Sequence, residues 1–135
     1  LRDSPKSAIE GGAIMNLAES NASRILVLAG GLVGAAGVAL SAAAAHRGGA
    51  FTGTAASFLL MHAPVFLAVG LAGANRLLRM ASLALLVGLV LFAGDLLARD
   101  FLESRLFPMS APIGGTLLIA GWLAIAASAL VRPRP

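Results

Sequence analysis

Four long apolar runs, separated by short polar breaks, dominate the pattern along this chain. They are Ile25–Ala45, Ala55–Ala74, Met80–Ala98 and Ile113–Val131. Each is close to the roughly 20 residues that a helix needs to cross a hydrocarbon core. Within the four runs the only Asp, Glu, Lys or Arg is Asp95. The alternation of period two that marks a membrane barrel strand is absent, and a bilayer tolerates only closed hydrogen-bond ladders, so the runs read as helices. The breaks between them hold 9, 5 and 14 residues. Such short connections make neighbouring helices antiparallel, and the expected fold is an all-α integral membrane four-helix bundle.

Composition agrees. Hydrophobic residues make up 59% of the 135, charged residues 12%, and the mean hydropathy is +0.91. A water-soluble domain carries about twice that share of charge, so a soluble enzyme is excluded. There is no cysteine, which removes disulfides, thiolate metal sites and iron–sulfur ligation. The net charge of +4 comes from ten basic residues scattered singly or in pairs, which form no nucleic-acid patch.

In a membrane protein those charges mark topology instead. Arg2, Lys6, Arg24, Arg76, Arg79, Arg132 and Arg134 fall on one side, and Arg47, Arg99 and Arg105 on the other. The positive-inside rule then puts both termini in the cytoplasm, with the bacterial inner membrane as the expected location. Residues 1–24 form a polar cytoplasmic segment with no apolar run, and thus no signal-peptide core. Alone, such a segment is expected to be disordered. With Leu1 first, Met15 is an alternative start. Residues 132–135 form a basic cytoplasmic tail after the bundle of residues 25–131.

Candidate chemistry is sparse. His46 ends the first run, His62 is the eighth residue of the second, and Asp95 lies near the end of the third. The topology brings all three to the non-cytoplasmic leaflet as a polar cluster. An ionisable side chain inside a membrane costs about 2.5–3.5 kcal/mol at mid-span and so takes a partner. A His62–Asp95 pair would serve as a clasp that sets helix register, or as a proton relay, since histidine titrates near neutral pH. Pro64 is expected to kink the second helix and leave a carbonyl free near His62. The first helix presents Gly30, Gly34, Gly37 and Ser41 at helical spacing, a small-residue ridge suited to close helix packing. At the start of the fourth, Ser110 is expected as the N-cap, with Pro112 in the first turn and Gly114 and Gly115 allowing close backbone approach. Trp122 sits mid-helix, away from the interfacial belts, and is expected to pack inward or against a partner or lipid. Two histidines make no metal site, and no catalytic constellation is visible; neither a metal nor a cofactor is expected.

Several of these pieces together resemble a known family. The glycine-rich run to Ala45-His46, then Met61-His62-Ala63, Phe92-Ala93-Gly94-Asp95, and Pro112-Ile113-Gly114-Gly115 leading to Gly121-Trp122-Leu123 are similar to the small YgdD-like inner-membrane proteins. These form a family of unknown function with animal relatives among the numbered transmembrane proteins. The resemblance spans Arg24 to Val131 and implies four helices in an energy-transducing or plasma membrane, with no assigned activity. Two departures stand out: an alanine run replaces the usual Gly-Ala before His46, and Asp95 stands where a smaller polar residue is usual. The function expected is that of an accessory or scaffold subunit packing against a larger membrane complex, respiratory or photosynthetic. The alternative is a small oligomeric transporter or proton-coupled exchanger using His62 and Asp95. The expected partners are the lipid bilayer and other membrane subunits or further copies of the chain, not nucleic acid.

Overall fold

The computed structural model describes residues 5–131; Arg2, Asp3 and the basic tail with Arg132 and Arg134 lie outside the described residues. Four helices follow one another: α1 Pro5–Arg47, α2 Ala50–Ala72, α3 Arg76–Leu102 and α4 Ser110–Ser128. All four are long and apolar enough to cross a membrane. Among the described residues there is no strand.

The polar N-terminal segment does not stand alone. Its described part is helical and continuous with the first span, giving one helix of 43 residues, about 65 Å long at 1.5 Å per residue. Nucleation is the costly step in helix formation, and here the membrane span supplies the nucleus. Ala, Ile, Met, Leu and Glu then propagate it outward despite Gly11 and Gly12. Helices α2 and α3 also begin or end several residues beyond the apolar runs and take in Phe51 and Phe101. Hydropathy marks the hydrocarbon stretch, while the hydrogen-bond ladder runs on into the interface.

Packing is unequal among the helices. Helix α2 packs on both α1 and α3, and α4 packs on α3. Among the described residues no Cα of α4 lies within 8 Å of one in α1 or α2. The central pair is therefore the most buried and the outer pair the least. Leu26, Ala55, Leu59, Phe66 and Val69 meet Leu85, Leu89, Ala93, Leu96 and Leu118 in a continuous core.

Glycines set the spacing inside each hairpin. A Cβ on Gly114 would fall 2.6 Å from the backbone nitrogen of Phe92 and 2.8 Å from the carbonyl oxygen of Gly88. Backbone thus meets backbone between α3 and α4. On α1, Gly30 and Gly37 receive the side chains of Leu67 and Leu60, and Gly34 faces Ala63. The small ridge of α1 is spent within the hairpin, except for Ser41, which is exposed. In lipid, such close dispersion contacts drive helix association.

Candidate functional site

Two separate networks of polar side chains link the helices. The first is built by the C-terminal end of α3. Asp95 is fully buried. Its Oδ2 accepts from Arg99 Nε at 2.8 Å and lies 2.7 Å from Arg99 Nη2. Its Oδ1 accepts the backbone N–H of Leu106 at 3.0 Å and the hydroxyl of Ser110. Arg99 is steadied in turn by the ring of Phe51, 5.6 Å from its guanidinium carbon. Five residues beyond Asp95, Asp100 turns to the other neighbour. Its Oδ2 accepts both the N–H and the hydroxyl of Thr52, at 2.6 and 2.7 Å.

The two carboxylates hold the starts of two helices. Thr52 lies in the first turn of α2, whose N-cap position, Gly49, offers no side chain. Ser110 is the first residue of α4. Both helices begin at this end of the bundle, with unpaired N–H groups and a partial positive charge. Helix α3 ends there, so Asp100 reaches across and caps α2 through the N–H of Thr52, while Asp95 ties the loop before α4 and the hydroxyl of its first residue, Ser110. Asp95 and Asp100 are five positions apart, roughly 140° around the helix, which lets one face α4 and the other α2. Gly48 and Gly49 are required by the turn itself, at φ 76° and 107°. A Cβ at Gly49 would also fall 2.8 Å from Asp100 Oδ2.

This corrects the expected role of Ser110. The N-cap position is Met109, in the left-handed region at φ 68°. The Ser110 hydroxyl serves Asp95 and receives the N–H of Phe107 at 3.5 Å. Pro112 is exposed, Gly115 is half-buried, and Gly114 makes the backbone contact with α3.

The second network lies deeper. His62 is almost fully buried. Its Nδ1 is 2.7 Å from the carbonyl oxygen of Phe58, and Trp122 Nε1 donates to its Nε2 at 3.2 Å. These partners select the neutral tautomer with the proton on Nδ1, because Nε2 must accept. The bond between His62 and Trp122 joins α2 to α4, whose Cα atoms nowhere come within 8 Å of each other among the described residues. Below the bond a groove of about 370 Å³ opens between them, lined by Phe58, Met61, Phe92, Ile119 and Trp122 among others. In its lining the Phe58 ring of α2 meets the Phe92 ring of α3 at 4.7 Å between centroids.

The three residues expected to cluster are therefore not brought together by hydrogen bonds. Asp95 bonds to α3 and the start of α4, His62 bonds to Phe58 and Trp122, and His46 is exposed in the last turn of α1. Nor does His62 draw on a carbonyl freed by Pro64, since it uses that of Phe58. The helix continues through Pro64. Sequence reasoning overlooked Arg99, Asp100 and Thr52. The Asp95–Arg99 spacing of four on one helix was a readable signal; the Asp100–Thr52 pair had none beyond a shared end of the bundle. Among the described residues no group of three or more His, Asp or Glu is placed to hold a metal ion.

Four apolar helices, whose buried polar side chains among the described residues all find partners inside the protein, define a small multi-pass membrane protein. Residues 33–115 match the family described as protein of unknown function (DUF423), and the chain belongs to it. Over 99 residues it is 33% identical to a UPF0382 membrane protein of Haemophilus influenzae, a match covering 66% of this chain and 80% of that protein. No solved structure matches the chain.

Proposed function

We propose that this protein is a non-enzymatic accessory or scaffold subunit that packs against a larger membrane complex, respiratory or photosynthetic, in a bacterial inner membrane with both termini cytoplasmic. The observation that carries this reading is the arm of α1 beyond the membrane. From Pro5 to Arg24 it extends about 30 Å. It bears Ile9, Ile14, Met15 and Leu17, each about two-thirds exposed. Glu19 of the arm pairs with Arg79 of the bundle at 3.0 Å, and exposed pairs of this kind contribute about 0–1 kcal/mol. Large apolar side chains on a projecting helix favour a protein surface that covers them. The outer helices α1 and α4 add broad uncovered faces within the membrane.

Transport through His62 and Asp95 has less support. A proton carrier needs a lone pair that is open or readily released, and both His62 nitrogens and both Asp95 oxygens are engaged. The test is a photo-crosslinking amino acid at Ile14 in the native membrane. The subunit reading expects one heavier adduct to a membrane protein that also co-purifies in fixed stoichiometry in mild detergent. Adducts only between copies of the chain, with stability that rises on adding a solute, would favour transport instead.

A further inference from the structure

The opposite end of the molecule carries a cleft that neither polar network uses. Met15, Ala18 and Ala22 of α1 form one wall, and Asn75, Arg76 and Arg79 at the start of α3 form the other, around about 570 Å³. We propose that this cleft binds the headgroup of an anionic phospholipid, with Arg76 as its principal contact.

Charge is the first argument. Arg79 is partly neutralised by Glu19, which also lines the cleft. Arg76 is exposed, and among the described residues no acidic side chain pairs with it. One positive charge is left in excess, which complements a monoanionic phosphodiester. The first turn of α3 adds to it. The Asn75 side chain accepts from Leu78 N–H at 2.8 Å. The N–H groups of the residues between them still have no preceding helical carbonyl to receive them, and a helix N-terminus favours an anion.

Position is the second argument. The apolar run of α3 begins at Met80, so Arg76 stands about 6 Å outside the hydrocarbon along the helix axis. That is the level of lipid phosphates. Arg76 also borders a second recess of about 380 Å³ with Leu77 and Met80, whose exposed surface is mostly apolar. A cleft that carries the Arg76 and Arg79 guanidinium groups and meets an apolar slot at Arg76 suits a molecule with a charged head and hydrocarbon tails. A free anion has no use for the slot.

Native mass spectrometry of the full chain, released from micelles holding equal amounts of phosphatidylglycerol and phosphatidylcholine, tests this. The expected spectrum shows a single phosphatidylglycerol adduct in preference to phosphatidylcholine. Arg76→Gln should reduce that preference about fivefold, Arg76→Lys should retain most of it, and Arg105→Gln at the other end should leave it unchanged. Equal retention of both lipids would overturn the proposal. So would an equal loss in Arg76→Gln and Arg105→Gln, which would mean a diffuse surface charge, or displacement of the lipid by inorganic phosphate. An adduct with the mass of a second chain in place of lipid would overturn it as well.

Discussion

Asp100 on α3 and Thr52 on α2, 48 positions apart in the chain, are joined by two hydrogen bonds to one carboxylate oxygen at 2.6 and 2.7 Å. The start of α2 has no side chain of its own at the cap position, so a neighbouring helix provides the cap. Asp95 holds the entry to α4 differently, accepting the N–H of Leu106 and the hydroxyl of Ser110. The last two turns of α3 thereby lock the other two helices that begin at this end of the bundle.

Removing the Asp100 cap should destabilise the protein measurably. Asp100→Ala and Thr52→Val are each expected to cost about 1–2 kcal/mol, and the double variant little more than either. Thermal unfolding in detergent, run as a double-mutant cycle, measures the coupling. Fully additive losses would mean that the bonds contribute nothing specific.

Asp95→Ala should be more severe, about 3 kcal/mol or more, since it leaves Arg99 without its buried partner. Combined with His62→Ala, the loss should be additive, because the two residues share no hydrogen-bond partner. Strong non-additivity in the same unfolding assay would indicate a direct clasp between them.

Trp122 is the sole tryptophan, which makes the deeper network visible by fluorescence. The residue is 45% exposed at the protein surface, so brominated acyl chains should quench it strongly in reconstituted vesicles. Replacing His62 by leucine removes the acceptor of the indole N–H and should shift the emission to shorter wavelength. An unchanged spectrum would show that the 3.2 Å bond is not formed in the bilayer.

Glycine substitutions should divide sharply between adjacent positions. Gly114→Ala is expected to separate α3 from α4 at a cost of about 1–3 kcal/mol. Gly115→Ala, whose Cβ would first meet Phe92 at 4.0 Å, and Gly31→Ala, with nothing within 4 Å, should be close to neutral. Equal effects at Gly114 and Gly115 would contradict the close approach of the backbones.

The proposed orientation is checked by cysteine labelling in intact cells. Cysteine at Ser104 should react with an impermeant reagent and cysteine at Ala74 should not. The reverse pattern would invert the topology.

Much of this protein was legible in the linear pattern. The four apolar runs determined the number of helices, and the short breaks determined that neighbours are antiparallel, because in hydrocarbon a chain has no other way to satisfy its backbone. The presence of Asp95 in one run also required it to find partners within the protein. Which partners was another matter. Depth in the membrane follows from position along a helix, and it placed His46, His62 and Asp95 in one leaflet. Rotation about each helix axis and the order of packing do not follow from depth. Tertiary structure turned Asp95 toward Ser110 and Asp100 toward Thr52, and set His62 against Trp122, a residue at nearly the same depth on a helix that runs the same way. The decisive reason is the backbone contact of Gly88 with Gly114. It draws α4 onto α3 and away from α2, leaving one indole–imidazole bond to span the groove between them.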